Sequence, residues 1–164
     1  MALKSLLTDT SRWSIEARLA IAFAHTCCHV CAVCPTNRHP LQYASVVQKI
    51  FPYSGFRPVE SLRAAIAESQ PDLVVPYDES GVRHLHELFQ WASREGGSQT
   101  AVADLIVRSL GSPERFPVVT SRHDLLAIAQ EEGIRVPDTR SVTGAADLEV
   151  WETQQKFPWV LKAD

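Results

Sequence analysis

Short apolar runs alternate with longer helical patterns along most of the chain. Residues 4–8 and 29–34 are short apolar runs, and apolar positions at helical spacing over 14–26 separate them. Proteins that place parallel strands side by side show this alternation of strands with helices. The pattern predicts strand, helix and strand, joined by a right-handed crossover.

The same alternation continues beyond the second strand. Residues 48–53 form a weaker third strand, and Pro58 stands where a first helical residue is favoured. A continuous apolar triplet over 73–75 is typical of a central parallel strand that is covered on both faces. Two further helices follow, over 80–94 and up to residue 110. Together these elements predict an α/β fold: a Rossmann-like three-layer α/β/α sandwich with a parallel sheet.

The final third of the chain has a different pattern. Ser121 and Asp124 have the spacing of a capped helix amino terminus, and Gly133 can end that helix. Another helix is predicted over 143–156, and a final strand over 157–164. This part is therefore predicted to contain helices followed by one strand.

Composition narrows the class of protein. The 164 residues carry a formal net charge of −3 and are 45% hydrophobic, as expected of a globular protein without a nucleic-acid partner. No apolar run approaches the roughly 20 residues that cross a bilayer, and the start does not have the pattern of a secretory signal. We expect no membrane partner and a cytoplasmic location; the oligomeric state stays open.

All four cysteines lie within the segment HTCCHVCAVCP, and Cys28, Cys31 and Cys34 have a spacing that resembles an iron–sulfur ligand run. On a strand, however, Cys31 would point away from the other two, and those would lie about 20 Å apart at about 3.3 Å per residue. We therefore predict thiols in a strand rather than a metal site, with Cys27 the most exposed.

Candidate ligand-binding residues follow from the predicted sheet. In open parallel sheets, ligands bind beyond the carboxyl ends of the strands. This rule selects Asp9, Ser11 and Arg12 after the first strand, and Asp78 and Glu79 after the fourth, as substrate-side candidates. Helix capping by Ser11 or Ser14 and a favourable interaction of the acidic residues with the helix dipole are simpler alternatives.

Other polar residues give weaker indications of a binding site. The loop PTNRHP, residues 35–40, also follows a strand. His84 and His86 are two positions apart on a predicted helix and cannot face one ligand, so we predict them at the surface. The first loop has no glycine, which disfavours ordinary binding of NAD or of a nucleotide there.

The succession of PDLVVPYDE, LGSPERFPVVTSRHDLLAIAQEEGIRVPDT and FPWVLKAD resembles the ATP-grasp superfamily over essentially the whole chain. The residues that correspond to the family's motifs are Ser121, Arg122, Gly133, Ile134, Val136, Pro137, Thr139, Pro158, Val160 and Lys162. By this resemblance Lys162 and Arg122 contact the nucleotide, with arginine at 122 where the family usually has lysine.

The resemblance also implies an organisation and an activity. Residues 1–111 would be a Rossmann-like domain that precedes the ATP-grasp domain, and 112–164 the incomplete beginning of the latter. The complete protein would use ATP and Mg²⁺ to activate a small-molecule carboxylate as an acyl phosphate and join it to an amine or similar nucleophile.

The family's glycine-rich loop and magnesium ligands have no counterpart in this sequence. We therefore expect no catalytic residue here, no tight binding of ATP or Mg²⁺, and no activity of the chain alone. The alternative is a non-catalytic Rossmann-like or flavodoxin-like module that binds a small ligand or a protein. The acid and the nucleophile stay open.

Overall fold

The structure, a computed structural model, describes residues 2–11 and 15–162, and only the backbone of Arg122. Its internal contacts divide the chain into two compact units, Met1–Pro113 and Glu114–Asp164. No helix among the described residues combines the length and the apolar character needed to cross a bilayer.

The first unit contains a parallel sheet of four strands. These are β1 (Lys4–Thr8), β2 (His29–Cys34), β3 (Val47–Pro52) and β4 (Leu73–Pro76). The strand order is β3-β2-β1-β4, and every pairing is parallel. The chain adds β2 and β3 on one side of β1 and then returns to add β4 on the other side. The predicted Rossmann-like parallel sheet is therefore confirmed, with β3 starting and ending one residue earlier than expected.

Helices connect and cover the strands of this unit. They are α1 (Ile15–His25), α2 (Pro58–Ser69), α3 (Glu79–Glu95) and α4 (Thr100–Leu110), with short 3-10 turns at Pro40–Tyr43 and Gly97–Gln99. Pro58 occupies the first turn of α2, and Gly111 ends α4 with a φ of +90°. Glycine adopts this backbone conformation without strain, which explains why the helix stops there.

Both faces of the sheet are buried. Leu7 and Ala32 lie opposite each other in register and pack with Ala20 of α1 on one face. Leu6 and Val74 are paired on the other face, where helices α2, α3 and α4 contact the strands. All five side chains are at most 2% exposed. The three-layer arrangement follows, because continuously apolar strands require cover on both sides.

The second unit is helical. It contains α5 (Phe116–Thr120), α6 (Arg122–Glu131) and α7 (Ala145–Gln154), with a 3-10 turn at Pro113–Arg115 where the two units join. The hydroxyl of Ser121 accepts a hydrogen bond from the amide of Asp124 at 3.2 Å and caps α6. The predicted cap is confirmed.

The predicted final strand over 157–164 is wrong for the residues that the structure describes. Residues 155–162 have no regular secondary structure, while Ala163 and Asp164 lie outside the described residues. Phe157, Val160 and Leu161 are each at least 71% exposed. A strand exists only through hydrogen bonds to a neighbouring strand, and the described part of the second unit offers none.

The cysteines behave as thiols of a strand. Cys34 is buried in the core, Cys28 and Cys31 are half-buried, and Cys27 is exposed as predicted. Burial raises the pKa of Cys34 to about 12 and also raises the pKa of Cys31. Since the thiolate is the reactive form, these two thiols are unreactive at neutral pH.

Candidate functional site

The carboxyl ends of β1 and β4 lie where the strand order of the sheet reverses. The amide of Tyr77 donates to the carbonyl of Thr8 at 2.9 Å, and the amide of Asp9 donates to the carbonyl of Val33 at 3.0 Å. The loops after three adjacent strands therefore start from fixed positions at this edge. In open α/β sheets such a reversal point is where ligands bind.

Asp78 connects the loops that follow β1 and β4. Its Oδ2 accepts a hydrogen bond from the amide of Thr10 at 2.6 Å, and its Oδ1 accepts from the Thr10 hydroxyl at 3.0 Å. The same Oδ1 accepts from the amide of Gly81 at 2.6 Å, which caps α3. A Cβ on Gly81 would lie 3.3 Å from that oxygen. Asp78 therefore caps α3, and Glu79 is an exposed residue that begins α3.

Asp9 directly follows β1 at this edge of the sheet and is 1% exposed. Its Oδ1 accepts hydrogen bonds from the amide and the hydroxyl of Ser11 at 2.7 and 2.8 Å. Burial alone would raise the pKa of Asp9, but these bonds hold it below its usual range. The structure therefore brings the predicted candidates Asp9 and Ser11 together, while Arg12 lies outside the described residues.

His39 is the second partner of Asp9. Its Nε2 lies 2.8 Å from Oδ2 of Asp9, and both side chains are buried. The Nδ1 atom accepts a hydrogen bond from the amide of Leu41 at 3.2 Å. Because Nδ1 is an acceptor, the ring proton belongs on Nε2 and is donated to Asp9. His39 comes from the loop 35–40, which the sequence indicated without singling out this residue.

Glu16 is the third member of the buried cluster that contains Asp9 and His39, and the sequence did not indicate it. It lies in the first turn of α1 and is 1% exposed. Asp9, Glu16 and His39 each offer one atom able to bind a metal, and these atoms lie within 4.8 Å of one another. Burial raises the pKa of Glu16 to about 7, and the Asp9 carboxylate adds to the effect. One signal was available: Glu16 stands four residues before Ala20, on the buried stripe of α1.

A second polar pair lies at the end of β3. The hydroxyl of Tyr53 is 3.3 Å from Nδ1 of His84 on α3, and the Tyr53 amide donates to the carbonyl of Cys34. Burial raises the pKa of Tyr53 and lowers the pKa of His84, so a protonated phenol can donate to a neutral imidazole. The predicted surface position of His86 is wrong: it is 9% exposed, because its helix face packs into the unit.

The two predicted nucleotide-binding residues lie in the second unit. Lys162 is exposed, on the segment without regular secondary structure. Arg122 is the first residue of α6, and its side chain lies outside the described residues. Their contact with a nucleotide stays a prediction.

These features define the class of protein as a Rossmann-like α/β protein with a buried polar cluster at the reversal point of its sheet. The structure is similar to the biotin carboxylase domain of a single-chain bacterial carboxylase, with a TM-score of 0.50 and 15% sequence identity. The match covers 93% of this chain and 34% of that chain. At this identity the similarity shows a shared fold.

A further solved structure is less similar. Phosphoribosylglycinamide formyltransferase from Anaplasma phagocytophilum has a TM-score of 0.35 and 14% identity, and the match covers 73% of this chain and 88% of that chain. This likeness is too small to support an inference. No protein-family model matches the sequence, and no curated protein matches it.

Proposed function

We propose that this chain provides the Rossmann-like unit, and the first helices of the nucleotide-binding unit, of an ATP-grasp ligase. One observation carries the proposal: the biotin carboxylase domain shares the fold over 93% of the chain. The order of ATP-grasp-like motifs in the sequence supports it independently. Because the chain spans 34% of the length of that neighbour, the activity belongs to the proposal for a larger protein.

In this proposal the loops at the carboxyl ends of β1 and β4 form one wall of the substrate site. Asp78 and the exposed Glu79 lie at this edge of the sheet. Acidic groups attract cations and repel anions. The edge therefore suits the amine nucleophile better than the carboxylate, which would be activated elsewhere by ATP.

The oxygens of Asp9 and Asp78 already accept hydrogen bonds from Ser11, His39, Thr10 and Gly81. We assign these two carboxylates to holding the loops in position. Exposed groups of the same edge, with Glu79 among them, would then contact the amine.

ATP and Mg²⁺ would be used by the second unit and the parts of the protein that complete it. Phosphoryl transfer relies on positioning and on the electrostatic effect of metal ions. Lys162 and Arg122 would contribute positive charge to the nucleotide site. Without the remaining parts, the chain alone is expected to show little or no thermal stabilisation by Mg·ATP at about 1 mM beyond that given by Mg²⁺ alone.

The gene provides the first test. A reading frame that continues after codon 164 into a glycine-rich loop, and later into paired acidic residues and an asparagine, would support the ligase proposal. A stop codon directly after codon 164 would contradict it and favour the non-catalytic binding module.

The complete protein provides the second test. It should release ADP only when a carboxylate and an amine are both present, as measured with a coupled ADP assay over panels of each. Lys162→Ala should raise the KM for ATP about tenfold, which corresponds to about 1.4 kcal/mol. The exposed Lys156, changed to Ala, serves as the matched control and should stay within about twofold. Equal effects of the two variants would remove Lys162 from the nucleotide site.

A further inference from the structure

Two buried carboxyl groups lie close together at the carboxyl-terminal edge of the sheet. Asp9 follows β1 and Glu16 lies in the first turn of α1, and both are 1% exposed. One oxygen of each lies within 4.8 Å of the other. Both groups are acceptors when ionised, so a proton, a donor such as water or a cation must lie between them.

The carboxyl group of Glu16 is poorly satisfied within the described part of the chain. Its own backbone amide lies near it, but neither carboxyl oxygen forms a hydrogen bond of normal geometry there. Asp9, in contrast, accepts from Ser11 through Oδ1 and from His39 through Oδ2. A buried charge without a partner is strongly unfavourable, and buried carboxylates are usually paired or bound to a metal. The oxygens of Glu16 therefore favour a proton or a cation between the two carboxyl groups.

The chemistry of His39 limits what that ligand can be. Its Nδ1 accepts from the Leu41 amide, so Nε2 carries the ring proton and faces Asp9. A metal at Nε2 would have to displace this proton, whereas a metal on the carboxylate oxygens leaves the hydrogen bond intact. A histidine that donates to a metal-binding carboxylate is a common way to orient the ligand.

We propose that Asp9 and Glu16 form a binding site for a divalent cation that prefers oxygen ligands, and that His39 orients Asp9 for it. Oxygens within 4.8 Å of each other can share an ion at the distances of about 2.0–2.6 Å found for Mg²⁺ and Ca²⁺. Carboxylates select Mg²⁺, Ca²⁺ or Mn²⁺ over softer metals. Water or ligand oxygens complete the coordination. The site uses side chains of the first unit alone and does not rest on the ligase proposal.

Mn²⁺ is a suitable probe because its bound and free forms differ in electron paramagnetic resonance. The full chain, stripped with a chelator and then dialysed, should bind one Mn²⁺ and unfold at a higher temperature when the ion is present. Mg²⁺ should compete for the site. Glu16→Gln should weaken Mn²⁺ binding at least about tenfold, a change of about 1.4 kcal/mol.

Glu60→Gln is the matched control. Glu60 also lies in the first turn of a helix, α2, but it is exposed. Its replacement should leave Mn²⁺ affinity within about twofold of the unaltered chain. Glu16→Gln is expected to fold, because a glutamine amide can donate to Asp9 in place of a proton.

Two outcomes would overturn the proposal. The first is the absence of Mn²⁺ and Mg²⁺ binding at millimolar concentration. The second is binding that Glu16→Gln leaves unchanged while the variant unfolds at the same or a higher temperature. Either result would mean that a proton, and not a metal, lies between the two carboxyl groups.

Discussion

The two units of this protein differ in how far they bury their apolar side chains. In the first unit, Leu6 and Leu85 are fully buried between the sheet and its helices. In the second unit, helix α7 has no buried residue, and Phe157 and Val160 are at least 71% exposed. Apolar residues are thus present in both units, but among the described residues only those of the first unit form a sheet to pack against. The difference shows that an apolar pattern becomes a core only where a second surface covers it.

Removing an apolar side chain should give the largest difference in stability between the two units. Leu85→Ala in the first unit should lower the free energy of unfolding by about 2–5 kcal/mol, because Leu85 is 0% exposed and its loss leaves a cavity. Leu125→Ala in the second unit should cost less than about 0.5 kcal/mol, since Leu125 is 50% exposed. Urea titrations followed by NMR signals from each unit would measure both, and similar costs would contradict the difference in packing.

The second largest difference should be in how the stability of each unit depends on pH. In the folded chain the pKa of Glu16 rises from its usual 4.5 to about 7, so the folded state holds a proton that the unfolded state releases. Stability from this group is complete below pH 4.5, falls as the pH rises towards 7, and then stays constant.

At about 1.4 kcal/mol per pKa unit, the loss amounts to about 3 kcal/mol for the metal-free first unit. Urea unfolding between pH 5 and 8 in the presence of a chelator would show it. Glu16→Gln should abolish this loss, because an amide does not titrate. The lowered pKa values of His84 and His86 act in the opposite direction and make stability rise with pH near 6 in both proteins. A loss towards high pH that survives the substitution would assign the effect to another group. In the second unit, by contrast, the pKa of the exposed Asp147 is lowered by bonds from Thr143, so no loss is expected there over this range.

Removing the cap of α3 or of α6 should give the smallest difference in stability between the units. Asp78→Ala removes the cap of α3 together with both bonds to Thr10, and should cost about 2 kcal/mol or more. Ser121→Ala removes a single capping bond of α6 and should cost about 1 kcal/mol. Hydrogen exchange of the first-turn amides would report each loss, and equal costs would show that the Thr10 contacts contribute nothing.

Local signals in the sequence predicted most of the first unit. The bounds of β1 and β2 agree with their apolar runs, and α4 ends at Leu110 as expected, with Gly111 directly after it. These features depend on neighbours along the chain: side-chain alternation, helical spacing and the freedom of glycine at positive φ. The final strand over 157–164 was predicted wrongly by the same logic, since a strand also depends on a partner elsewhere.

The candidate site was predicted in part. The rule for strand ends placed Asp9, Ser11 and Asp78 at one edge, and the structure joins the loops of Asp9 and Asp78 through Thr10. Glu16 and His39 were not identified. They belong to a helix and a loop that only folding brings beside Asp9, and a first-turn glutamate is ordinarily exposed, as Glu60 is.

The sequence by itself determined the succession of strands and helices, the class of fold and the edge of the sheet where polar residues collect. Tertiary structure decided which of those residues act together. In the folded chain Glu16 is buried beside Asp9, and Nε2 of His39 faces the same carboxylate. The oxygens of Asp78 join two loops by accepting hydrogen bonds. Periodicity is a property of neighbours along the chain, whereas burial, pKa and ligand geometry depend on groups that meet only through space.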